Sequence, residues 1–254
     1  MKISVITAVK NGENFIKETV DSVLSQQGDF EVEYIIRDGC STDNTLDILK
    51  NYGDKIIVIS QKDGSPQEAI NAGMNMATGD IGCWLNADDY LLPGALQKVV
   101  NVFREKSRYL WMYGRCRIID KDNNEIRKPI TWYKNIIGYF YSRNILLCEN
   151  FINQPATFWR MDLWRNIGGN LDSKYKAAWD YELWLKMSAH SPAFHTRDYL
   201  ACFRRFEGTI SEDNFERQFK EELDISKECG TLIHYFIHKL SIKLRTKIYK
   251  LLSK

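Results

Sequence analysis

The chain opens with short apolar runs separated by stretches of helical spacing. Ile3–Val9, Val32–Arg37, Lys55–Ser60 and Ile81–Leu85 are each mostly apolar, the pattern of strands buried on both faces of a parallel sheet. Between them Phe15, Thr19, Val23 and Leu24, then Leu46, Leu49 and Tyr52, then Ile70, Met74 and Ala77 recur along one helical side, which predicts three amphipathic helices. Pro93 is expected to start a fourth, with Leu96, Val99, Val100 and Phe103 facing inward. Strands alternating with helices in this way predict an α/β fold with a mostly parallel central sheet flanked by helices.

From about residue 108 to 175 the pattern is less regular. "YLWMYGRCRIID" reads as a strand and "KDNNE" as its turn; "NQPATFWR" is a further extended piece before a short helix closed by Gly168 and Gly169. A helix is expected from about Trp179 to Ala189, with Tyr181, Trp184, Leu185 and Ser188 on one side. Near the end, Ile233, Phe236, Ile237, Leu240, Leu244, Ile248 and Leu251 make one apolar stripe. The segment from Thr231 to Lys254 has five lysines, one arginine and no Asp or Glu, so it reads as a basic amphipathic helix. Three roles fit it: lying on an anionic membrane face, packing on the domain with its charged side in water, or forming a homo-oligomer.

Composition narrows the classes. With 254 residues, 44% hydrophobic and 13% aromatic, the chain can bury a large core. A formal net charge of +2 gives no reason to expect a nucleic-acid partner. The six cysteines are scattered without a CxxC pair or a metal-ligand spacing, and most are expected to be reduced core residues of a cytosolic protein. The apolar start is too short for a signal sequence, and no window is long enough to cross a bilayer.

Candidate chemistry sits behind the strands. In an open parallel sheet, ligands bind outside the carboxyl ends, and the four strands end in "TAVKNGEN", "RDGCSTDN", "SQKDGSPQ" and "NADD". Any one of these is also an ordinary turn sequence; the four together favour a ligand site. Asp88 beside Asp89 is the oddest pair, because neighbouring carboxylates repel unless solvated or bridged by a cation. Mg²⁺ or Mn²⁺ suits such oxygen ligands, whereas zinc would want His or Cys nearby. A solvated loop capping the next helix is the plain alternative.

The ordered series "SVITAVKNGENFIKETVDSVLSQ", "YIIRDGCSTDNTLDIL", "INAGMNMATGDIGCWLNADDYLLPGAL" and "GGNLDSKYKAAWDYELWLKM" resembles the family-2 glycosyltransferases of the GT-A fold, a Rossmann-like nucleotide-diphospho-sugar architecture. The likeness is greatest to bacterial enzymes that build exopolysaccharide, capsule or O-antigen. It covers roughly residues 1–211 as the catalytic domain, leaving 212–254 as a C-terminal helical extension. The resemblance implies an inverting, metal-dependent transfer from a nucleotide diphosphate sugar, a UDP-sugar above all, to a saccharide or lipid-linked saccharide. It implies a cytoplasmic enzyme, at the inner membrane surface if the basic helix binds lipid.

Residue by residue, the resemblance puts Thr7 and Ala8 against the base and makes Asp38 the acceptor of the base imide. It gives Asp88 to the ribose and metal and Asp89 to direct metal coordination. Asn86 stands where many relatives have aspartate; Asp63 and Asn71 are expected along the same cleft. Asp180 matches the general base, with Glu182 as second candidate. Arg204 or Arg205, in "FRRFEGTIS", is expected to counter the phosphates in place of a histidine that relatives carry where Phe206 stands. Gln154, Phe158 and Trp159 correspond to the acceptor wall. A nucleotidyltransferase and a non-catalytic sugar-nucleotide-binding protein are the competing classes.

Overall fold

The computed structural model describes residues 1–206 and 215–252. Four parallel strands, β1 (Lys2–Val9), β2 (Glu31–Asp38), β3 (Ile57–Ser60) and β4 (Ile81–Trp84), form half of an eight-stranded sheet. Helices α1 (Ile16–Leu24), α2 (Thr45–Lys50), α3 (Pro66–Met76) and α4 (Ala95–Glu105) accompany them. The other half uses β5 (Tyr90–Leu91), β6 (Trp111–Ile119), β7 (Thr157–Arg160) and β8 (Ala193–Arg204), giving the order β3-β2-β1-β4-β7-β6-β8-β5. Four of the seven ladders are parallel; β7 is antiparallel to both its neighbours, and β5 to β8.

The first four strands and helices lie close to their expected places, with instructive departures. β3 begins at Ile57 because residues 53–55 form a 3-10 turn. It is the sheet's edge, and Ile57 and Val58 are exposed rather than buried on both faces. Helix α4 starts two residues after Pro93 because Gly94 takes a left-handed turn, φ 72°. Phe15 precedes α1 and lays its ring against Phe206 instead of into the helix's inner face.

The middle of the chain is more ordered than its pattern suggests. It contains α5 (Lys128–Tyr139) and α6 (Arg143–Cys148), then α7 (Met161–Asn166), which ends at Gly168 and Gly169 with φ 97° and 52°. Helix α8 (Trp179–His190) is buried on nearly every side, with Leu183 and Met187 inside as well as Tyr181, Trp184 and Leu185. Beneath it, five buried indoles pack together. Trp184 stacks between Trp84 and Trp111 at centroid distances of 5.7 and 5.9 Å, and Trp159 stacks on Trp164 at 5.8 Å.

Two helices follow, α9 (Phe215–Cys229) and α10 (Leu232–Leu252), and both pack against α6. The expected boundary between 211 and 212 lies outside the described residues, as does the segment after Phe206; the side chains of Ile248 and Leu251 are likewise outside them. Helix α10 sits the reverse way round from an ordinary amphipathic helix. His238, Ile242 and Arg245 are buried against the domain, and the apolar stripe faces solvent.

Candidate active site

A cavity of about 400 Å³ opens at the carboxyl ends of the central strands. The turn after β1 supplies one wall, from Ala8 to Gly12, and Asn86 to Asp88 after β4 supply another. Gln154 lies against Asn86, whose side-chain amide donates to its Oε1 at 3.3 Å, and Asp180 comes from the start of α8. Phe215 and Phe219 of α9 and Arg245 of α10 also border the cavity, so the C-terminal helices are part of its wall. Among the described lining residues, Asp88 and Asp180 are the only acids, whereas Lys10, Lys134, Lys176 and Arg205 add positive charge beside Arg204 and Arg245. Such a balance suits an anionic ligand.

Asp180 is raised to about 6, chiefly by burial. The Tyr181 backbone N–H, which donates to its Oδ1 at 2.7 Å, opposes that shift; Glu222 raises it and Lys134 lowers it. A carboxyl so placed is ionised at neutral pH and still basic enough to accept a proton. Glu182 does not share the cavity: it pairs with Lys186 at 2.7 Å.

The two neighbouring aspartates part company. Asp88 faces the cavity, is raised by burial, and has no side-chain donor among the described residues. Asp89 is fully buried, and its carboxylate accepts from the Arg204 backbone N–H at 2.8 Å and the Asn86 amide at 2.9 Å. The antiparallel pairing of β5 with β8 brings Arg204 to it. Burial, then the Asp88 charge, pushes Asp89 well up. Asp89 is outside the cavity lining, and with one donor on each oxygen its carboxylate ties the sheet rim together in this structure.

Arg204 also borders the cavity, but its guanidinium is engaged by protein acceptors. Its guanidinium donates to the carbonyls of Asp88 and Asp120, to the Asn123 side chain and to Glu18, and it covers the Phe15 ring at 4.5 Å. It is a buried brace, and Arg205 is the next guanidinium at the cavity edge. Of the residues expected against the base, Ala8 lines the cavity, but Thr7 is sealed in the sheet, donating to the Leu85 carbonyl at 2.8 Å. Asp38 is also buried, accepting from Ser60 at 2.6 Å and from the Ser41 N–H. Asp63 forms a salt bridge with Arg37 at 2.9 Å, and Asn71 clamps Leu171 through both backbone groups. These four support the walls without lining them. Phe158 and Trp159 are wholly buried, while Gln154 lines the cavity and donates to the Trp84 carbonyl at 2.7 Å.

A buried ionic cluster lies behind Asp180. Glu222 accepts from Arg245 at 2.9 Å and from Asn150 and Gln218 at 3.0 Å each, with His238 at 3.4 Å. Burial would raise Glu222, but Arg245 and then His238 outweigh it and hold it down at about 2. Glu149 pairs with Arg245 and accepts from Ser241. Residues this far apart in sequence gave no signal of belonging to one site.

The family model "Glycosyl transferase family 2" matches residues 4–166, well over half of the chain. The chain belongs to glycosyltransferase family 2. An uncharacterized glycosyltransferase of Rickettsia felis is 24% identical over 99% of this chain and 41% of its own length. Chondroitin synthase of Escherichia coli is 27% identical over 95% of this chain and 33% of its own length. A PGL/p-HBAD biosynthesis glycosyltransferase of Mycobacterium bovis is 29% identical, with 89% of this chain and 86% of that protein covered. The chain thus spans about two fifths of the length of the first curated relatives it matches.

Among solved structures, S. aureus TarS residues 1–349 in complex with UDP-GlcNAc matches with a TM-score of 0.68 at 19% identity, covering 89% of this chain and 66% of that one. The mannosyltransferase PcManGT of Pyrobaculum calidifontis, in complex with GDP-Man and Mn²⁺, gives 0.67 at 15%, with 88% and 62% covered. Both establish the shared fold. In this glycosyltransferase the described residues hold no cluster of three or more His, Cys, Asp or Glu able to cage a metal. Asp88 and the Asn86 side-chain oxygen Oδ1, which lacks a protein donor among the described residues, fit a cation of the magnesium type, which takes one or two protein oxygens and fills its sphere with phosphate and water.

Proposed function

We propose that this glycosyltransferase moves a sugar from a nucleotide diphosphate donor to a hydroxyl of a saccharide or lipid-linked saccharide, with inversion, in the assembly of a bacterial surface polysaccharide. A UDP-sugar is the donor we put first, and the TarS complex with UDP-GlcNAc supports that choice. The observation that carries the reading is the pairing, in one cationic cavity, of a carboxyl raised to about 6 with a second acid that has no side-chain donor.

Asp180 accepts the proton of the acceptor hydroxyl as that oxygen bonds to the anomeric carbon, and the bond from that carbon to the diphosphate breaks. A single displacement of this kind inverts the centre. Lys10, Lys176 and Arg205 oppose the charge that gathers on the departing diphosphate. Asp88 and Asn86 would hold Mg²⁺ or Mn²⁺, which when bound neutralises phosphate charge. Trp179, next to Asp180 in the chain, and Gln154, beside Asn86, offer the acceptor an aromatic face and an amide in the same cavity.

The test is a panel of UDP-, GDP- and dTDP-sugars with and without Mn²⁺, read by thermal shift and by nucleotide release. A metal-dependent shift with one donor, and release that rises with a saccharide acceptor, is expected. No shift with any donor would remove the reading.

A further inference from the structure

Two exposed apolar arcs lie side by side on the surface. On α10, Ile233, Phe236, Ile237, Leu240 and Leu244 follow a three-and-four spacing, and Ile233, Phe236 and Leu240 are 70, 62 and 69% exposed. On α5, Trp132, Ile136, Tyr139 and Phe140 do the same, with Trp132 at 67% and Phe140 at 63%. The helices meet around Glu149, which accepts from Ser241 of α10 and lies beside Tyr133 of α5. On each helix the apolar arc adjoins this contact, so the arcs form one surface instead of two separate ones. A patch of this kind on a folded domain signals a partner.

The charges beside it state which partner. Lys239 and Lys243 are exposed along the α10 arc, and the segment from 231 to 254 contains no acid. The α5 arc itself forms one side of a groove of about 530 Å³, which Lys128, Arg115 and Arg197 also border, with Glu125 as its one carboxylate among the described residues. Arg197 holds its guanidinium over the Tyr139 ring at 4.6 Å. An apolar ridge flanked on both sides by cations matches a bilayer with anionic headgroups, where the ridge enters the acyl boundary and the cations stay at the phosphates. No helix among the described residues is long and apolar enough to cross a membrane, so the contact is a surface one.

We propose that the joined outer faces of α5 and α10 are a docking surface for an anionic lipid bilayer. This goes beyond the transfer reaction, because the surface faces away from the cavity and does not depend on which sugar is moved. It also ties the two together: the inner face of α10 carries Arg245 into the cavity wall, so the helix on the lipid is the helix that closes the site.

The test is flotation of the full chain with vesicles of phosphatidylcholine alone and of phosphatidylcholine mixed with phosphatidylglycerol. Binding to the mixed vesicles, weakened by high salt, is expected. Phe236→Asp with Leu240→Asp should lower the partition at least tenfold, about 1.4 kcal/mol, and Lys239→Glu with Lys243→Glu should do likewise. Trp132→Ala with Phe140→Ala should lower it severalfold, which an α10-only contact would not show. All these residues are exposed, and an unchanged donor thermal shift certifies the fold and separates this test from that of the transfer reaction. The proposal is overturned if the chain stays off the mixed vesicles, or if sedimentation instead shows a dimer that Phe236→Asp with Leu240→Asp dissolves.

Discussion

Ionised Asp180 is the form able to accept a proton, so transfer should gain rate as pH rises through about 6. One unit below that value only about a tenth of the molecules carry the carboxylate, so kcat/KM should fall about tenfold per unit on the acid side and level off near neutrality. Asp180→Asn keeps the shape and removes the base, for a loss of about 10²- to 10⁴-fold in kcat with little change in donor binding. Lys134 gives a second handle, since its charge lowers Asp180. In Lys134→Met the acid limb should move to higher pH. The assay is nucleotide diphosphate release at saturating metal, followed across the pH range with a competent acceptor. The reasoning is refuted if Asp180→Asn stays within a few-fold of the parent, if the parent profile is flat through the limb, or if Lys134→Met moves the limb downward.

Asp88→Asn should weaken Mn²⁺ binding in the presence of nucleotide at least tenfold by titration calorimetry, consistent with one protein carboxylate in the magnesium-type sphere. Asp89→Ala should instead lower stability by about 1–3 kcal/mol for each buried donor left unpaired, measured by urea unfolding. Trp184→Ala, which empties the middle of the indole stack, should cost about 3–5 kcal/mol in the same assay. Glu222 is held down at about 2 from 4.5, so its contribution to stability is complete above the unfolded value and disappears as pH drops from 4.5 toward 2. Urea midpoints of the parent should fall across that window, and those of Glu222→Gln should fall less.

The first hundred residues were legible because their apolar runs are the sheet interior and their helices bury ordinary stripes: Leu96, Val99, Val100 and Phe103 are all inside, as their spacing says. Helix α5 was not, because its most apolar arc faces outward and marks no core. Strand β8 was hidden by His195, Arg197 and Asp198 along its length, polar residues that a rim position tolerates. At the site, sequence drew attention to Asp88, Asp89 and Asp180 together. It could not say which of two adjacent acids turns inward, because that depends on β8 arriving beside β5 from far along the chain. The same holds for Arg204, whose acceptors come from helix α1 and from distant loops, and for Glu222 and Arg245, which meet only once α9 and α10 have folded over α8.

The placement of the seven tryptophans has an optical consequence. Five are shut away from water, Trp179 looks into the cavity, and Trp132 stands on the outer ridge. Buried indoles emit toward the blue and resist aqueous quenchers, so the red edge of the emission belongs mainly to Trp132, and a ligand stacked in the cavity would act on Trp179. The unlabelled chain therefore reports, at separable wavelengths, what touches its outside and what fills its inside.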